Sequence, residues 1–148
     1  MIAVHEIGHV LGGLGAGFRF SSLRIGPLQF DRRLHMSFYR GPGAAINGVA
    51  NMIPVTTDKL ALRGMALVLA GPVANILSGC AVLLLPFSKG FSSGLFILVS
   101  IANGLTDLLP FQNRLGVSDG RRIGMLLRNR ERGERWLALT KLGAELQD

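Results

Sequence analysis

Two stretches without a formal charge constrain this chain more than anything else in it. Gly64 to Ser88 runs 25 residues and Gly90 to Thr106 a further 17 with no Asp, Glu, Lys or Arg, and only Lys89 separates them. About 20 residues at 1.5 Å each cross the hydrocarbon core of a bilayer, so both stretches read as transmembrane helices joined by a tight turn near Phe87 to Phe91. A buried soluble hairpin would also hide them, but a 148-residue chain has too little other material to wrap two such helices on all sides. The hydrophobic share of 49% and mean hydropathy of +0.40 agree with a membrane setting.

Met1 to Phe18 is a third apolar block, and Glu6 is its only charged residue. An ionisable side chain in a membrane segment costs about 2.5–3.5 kcal/mol, so Glu6 needs a role. Its neighbours supply one in His5-Glu6-Ile7-Gly8-His9. Positions i and i+4 share a helix face, which lets His5 and His9 grip one zinc ion. Glu6 beside the ion can then act as general base on water and pass the proton to a leaving amine, the chemistry of peptide hydrolysis. The plain alternative is an accidental motif on a helix with two partly buried histidines and a solvated carboxylate. The apolar surroundings favour the metal, because one ion gives all three polar side chains a partner.

The 16 Lys and Arg fall as seven between Arg19 and Arg63, Lys89 alone, and eight from Arg114 to Lys141. With three spans the two basic regions share a side, which the positive-inside rule makes cytoplasmic. The expected location is integral to a bacterial-type cell membrane, with a pI near 11.1 reflecting topology and contact with the lipid bilayer. No aromatic-basic interleaving supports nucleic acid as a partner. Cys80, the single cysteine, excludes an intrachain disulfide and a cysteine zinc site, and reads as a small packing residue within a span. No cleavable signal peptide is expected.

A catalytic zinc takes three protein ligands and leaves one position open. The extended motif with a third His three residues beyond HExxHxxG fails, since Gly12 matches but Gly15 stands where that His belongs. A Glu on a following helix fails too, because none occurs between Glu6 and Glu131. Asp107, at the end of the third span, and Asp119, just beyond it in Ser118-Asp119-Gly120, can each reach an ion near the cytoplasmic end of a bundle.

With His5–His9, Ala70-Gly71-Pro72-Val73-Ala74-Asn75 and Asp107-Leu108-Leu109-Pro110 followed by Ser118-Asp119-Gly120, the chain resembles the site-2 protease family of intramembrane zinc metallopeptidases (peptidase family M50). Members read HExGH, AGPxAN and NxxP followed by LDG, in this order, and the similarity extends from Met1 to about Arg122. The resemblance implies one Zn2+ bound by His5, His9 and Asp119, with Glu6 as general base. It implies a transmembrane segment of another membrane protein as substrate. Asp107 stands where the family usually has Asn, a substrate-positioning residue, and Asn75 is a second candidate for that role or for bonding across the bundle. The connection from Pro110 to Asp119 is longer than the family's, and Ser118 replaces Leu. A noncatalytic homologue serving as a membrane binding module is the alternative reading.

The expected fold is therefore an all-α polytopic membrane protein with three transmembrane helices and a small membrane-associated β-hairpin between the first two. Residues 1–17 form the active-site helix, ending at the glycines after Leu11; too short to span, it implies an upstream apolar segment. Residues 18–63 hold the hairpin, where Leu28 and Phe30, then Leu34, Met36 and Phe38, alternate with polar residues around the turn Asp31-Arg32-Arg33. Such a ribbon either covers the bundle end or offers an edge to an extended substrate. Gly41-Pro42-Gly43 breaks the chain, and Ala44 to Pro54 reads as a re-entrant or interfacial piece. Residues 64–88 and 90–110 are the other spans, with Gly71 and Pro72 at a helix start. Residues 118–148, capped by Ser118, form a basic amphipathic tail lying on the cytoplasmic leaflet through Trp136, Leu139, Leu142 and Leu146.

Overall fold

The computed structural model describes residues 1–41, 47–86, 90–113, 116–128 and 130–145. Helix α1 (Ile2–Gly15) ends among the glycines and leads into strand β1 (Phe18–Ile25). A turn at Gly26-Pro27 reverses the chain into β2 (Leu28–Phe30), which pairs with β3 (Met36–Phe38). Asp31 closes that second turn, its Oδ1 accepting the backbone N–H groups of Arg33 and His35 at 2.8 Å each. The hydrogen bond from His35 is the main reason its carboxyl lies below the usual range. Strand β4 (Gly48–Pro54) returns antiparallel to β1, giving the sheet order β3-β2-β1-β4.

The chain is thus a mixed α and β protein, and the expected all-α architecture with three spans is wrong. A four-stranded antiparallel sheet takes the place of a lone hairpin. Among the described residues one helix, α2 (Leu60–Leu83), is long and apolar enough to cross a membrane. Helix α1 has 14 residues, and α3 (Phe91–Asp107) has 17. Absence of charge marked the apolar stretches without locating their helix ends: α3 stops at Asp107, leaving Leu108 to Pro110 outside it. Of the three crossings from which the orientation is argued, α2 is the one that has the length and apolarity for it among the described residues.

Helix α2 also begins earlier than expected, so Gly71 and Pro72 fall in its interior instead of at its start. Cys80 is exposed on this helix and does not pack as expected. The piece expected to be re-entrant is strand β4, where described. A short ribbon, β5 (Gln112–Asn113) with β6 (Gly116–Val117), bridges α3 to α4 (Asp119–Arg128), and α5 (Arg130–Glu145) follows. The tail expected to lie on a membrane surface is therefore two helices, and α5 is anchored inward: Leu137 is buried while Leu139 is exposed. The centre of the Phe87–Phe91 turn with Lys89, the break at Pro42-Gly43 and the start of the Ala44 segment, and Leu146 lie outside the described residues, as does the side chain of Leu142.

The core forms where the sheet meets the helices. Phe18 of β1, Met52 of β4, Leu60, Ala61 and Leu67 of α2, Leu126 of α4 and Leu137 of α5 make one buried cluster. Arg63 of α2 ties α1 to it. Its guanidinium donates to the carbonyls of Ala16 (2.6 Å) and Gly17, and to the Thr56 carbonyl (3.0 Å) and hydroxyl (2.6 Å). A cation at the C-terminal end of α1 satisfies carbonyls that the helix leaves open and opposes its dipole. Helix α1 is thereby fixed against the first half of α2.

Candidate metal centre

Both histidines of the motif face α2 across a gap that only a small residue permits. A Cβ on Gly71 would run into the His9 ring and come within 2.9 Å of His5 Nε2, so the backbone of α2 can approach the imidazoles only because residue 71 has no side chain. Pro72 follows, with no N–H to give to the Val68 carbonyl. In this turn the Leu67 carbonyl accepts a 2.9 Å buried hydrogen bond from His9 Nδ1. That bond commits Nδ1–H of His9, so the neutral ring presents its lone pair at Nε2 and the protonated ring presents a second N–H there.

Asp119 arrives from the far end of the sequence. Ser118 sets its position: the hydroxyl bonds to the carbonyls of Leu109 (2.7 Å) and Phe111 (2.9 Å) and accepts the backbone N–H of Arg121 (3.3 Å), so it both pins the ribbon and caps α4. The long connection after Pro110 is accommodated by this ribbon. Asp119 then begins α4 with its side chain buried, Oδ1 taking an ion pair from Arg122 at 3.1 Å. Its Oδ2 lies 3.0 Å from His5 Nε2 and 3.2 Å from His9 Nε2. Burial alone would raise the Asp119 carboxyl, but the hydrogen bonds from His5 and His9, with the charges of His9 and Arg122, outweigh it and hold the group well below the usual carboxylate range.

The two Nε2 atoms are 3.0 Å apart, so three donor atoms converge on one point. Tetrahedral ligands at 2.0–2.2 Å from a zinc ion lie about 3.3 Å from one another, close to the separations found here. His5, His9 and Asp119 can therefore hold a metal ion. Asp119 is the carboxylate that completes the set, as the sequence resemblance implied, and Asp107 stands behind His5 with Oδ2 3.4 Å from Nδ1.

Glu6 is buried next to this cluster. Gly48 of β4 makes room for it, since a Cβ there would strike the Glu6 carboxylate. A cleft of about 540 Å3 opens onto His5, Glu6, His9 and Asp119, with β4 from Gly48 to Met52 along one wall. Sequence reasoning put the substrate ribbon at residues 28–38 and missed β4, which is the edge strand beside the site. It also missed Arg122, whose spacing three residues after Asp119 on a helix was the available signal. Asn75 is almost fully buried with its Nδ2 3.3 Å from His5 Nδ1, so neither Asn75 nor Asp107 is remote from the histidines.

No protein-family model matches the chain, and comparison with curated proteins and with solved structures likewise finds no match.

Proposed function

We propose that this chain is a zinc-dependent endopeptidase of the site-2 protease type, hydrolysing peptide bonds within or next to transmembrane segments of other proteins. The observation that carries the reading is the convergence of His5, His9 and Asp119 with Glu6 buried at the same cleft. When bound, zinc supplies a Lewis acid that polarises a peptide carbonyl and makes water more acidic. His5, His9 and Asp119 are the residues that would hold it. Arg122 keeps the second Asp119 oxygen occupied and so fixes the carboxylate plane. Glu6 takes a proton from the attacking water and delivers it to the leaving amine.

Strand β4 gives the substrate a place. It has a sheet neighbour on one side, β1, and its residues line the cleft, so a segment drawn out of helical form and paired along the other side lies next to Glu6. The bilayer is the setting that best fits the outer surface. A third of the apolar window of α2 is buried by the fold, and Leu62, Leu69, Leu77 and Leu83 are exposed along the helix. In lipid these side chains have an apolar neighbour, and in water they do not.

The test is cleavage of a model transmembrane substrate by zinc-loaded wild type and Glu6→Gln protein. Loss of about 100-fold or more in the variant with zinc content unchanged is the expected result. Equal cleavage by both proteins discards the mechanism.

A further inference from the structure

The two histidines are held differently on the side away from the metal. His9 Nδ1 has a backbone carbonyl, that of Leu67, as its partner. His5 Nδ1 faces two side chains instead, Asn75 with Nδ2 at 3.3 Å and Asp107 with Oδ2 at 3.4 Å. An imidazole that offers Nε2 to a metal carries its proton on Nδ1, so whatever meets Nδ1 has to accept. The amide group of Asn75 as placed directs a donor at that atom.

The same amide leaves its Oδ1 buried with no hydrogen-bond partner among the described residues, so its one acceptor is unused in a residue that is 2% exposed. Oxygen and nitrogen of a terminal amide exchange places by a half-turn about the last side-chain bond, and the choice between them is settled by the bonding around it. After that half-turn Oδ1 accepts from His5 Nδ1–H. Asp107, the last residue of α3 and half-buried, is an acceptor in either case.

We infer that Asn75 and Asp107 are positioning residues for His5, together bracketing its Nδ1–H, and are not substrate contacts. The inference rests on the metal-centre reading above. It gives a reason for an aspartate at residue 107, where the family resemblance leads one to expect asparagine. A carboxylate at Nδ1 makes the imidazole a stronger ligand than a neutral amide would. Of the two histidines, His5 is the one whose Nδ1 meets no backbone carbonyl among the described residues, and the charge is found on that side.

Competition with a chromogenic chelator, on the full chain in detergent with Zn2+ or Co2+, tests this. Asp107→Leu is expected to weaken metal affinity about 10- to 100-fold and to alter the visible spectrum of the cobalt form. Asp107→Asn keeps one carbonyl acceptor and is expected to fall between leucine and wild type. Asn75→Asp, which can only accept, is expected to bind at least as tightly as wild type. Wild type that binds metal, with Asp107→Leu equally tight and spectroscopically identical, overturns the inference while leaving the metal centre standing. Unchanged affinity with a raised KM for substrate does the same and returns Asp107 to substrate positioning. Wild type that binds no metal removes the centre itself, and this inference with it.

Discussion

The inner and outer faces of the α2 region differ in the polar groups that one buries and the leucines that the other exposes. On the inner side Glu6, His9, Asn75 and Asp119 are buried, gathered where α1, α2 and α4 meet. On the outer side Leu62, Leu69 and Leu77 of α2 and Leu95, Leu98 and Leu105 of α3 are exposed. Buried polar groups are expensive unless each has a partner, and a shared cation supplies one to several at once. Exposed leucines in such number call for a partner of the opposite kind. The comparison separates what the interior is built to hold from what the surface is built to meet.

One glycine from each side breaks or sharpens that contrast most strongly. Gly71→Ala is expected to abolish tight metal binding, because its methyl enters the space of the His9 and His5 rings, whereas Gly94→Ala on α3 meets nothing within 4 Å among the described residues. The second substitution is expected to stabilise by about 0.5–1 kcal/mol through helix propensity. Chelator titration and thermal unfolding of both variants measure this; a Gly71→Ala protein that binds metal normally removes the close-approach argument. Next in size is Leu77→Arg on the outer face. In a bilayer it should destabilise by up to about 2.5–3.5 kcal/mol, the cost at a span centre, and lower recovery in the membrane fraction, while on a water-facing surface the same change stays within about 0.5 kcal/mol. Unaltered recovery and stability would count against lipid as the neighbour. After it comes Arg63→Ala, which leaves carbonyls at the end of α1 without their donor and is expected to cost about 1.5–3 kcal/mol in denaturant unfolding, with metal stoichiometry retained.

The parts legible in the sequence are those with local spacing. His5 and His9 share a helix face because they are four apart, and Ser118 caps α4 because a hydroxyl before a helix can reach the N–H three residues on. For the third ligand, far from them in sequence, elimination leaves Asp107 and Asp119, and only the family resemblance chooses Asp119. The sheet was hidden for two physical reasons. A register shift between Phe20 and Ser22 in β1 interrupts the alternation, so the run Phe18, Phe20, Leu23, Ile25 does not read as one strand. In β4, Met52, Ile53 and Pro54 are buried in succession, which gives an apolar run without a period of two. The spans were overcounted because an uncharged stretch is a statement about composition, and helix length depends on where the backbone turns. Leu137 was passed over in favour of Leu139 because the tail was read as one surface helix, with no partner for the face that packs on Gly64 and Leu126.

Metal content of the purified protein after dialysis, compared between wild type and Asp119→Ala, tests most directly whether one cation is shared by residues from both ends of the chain. About one zinc per chain in wild type, and little or none in the variant at equal folded yield, is the expected result. Equal metal content in the two proteins, or none in either, would contradict it.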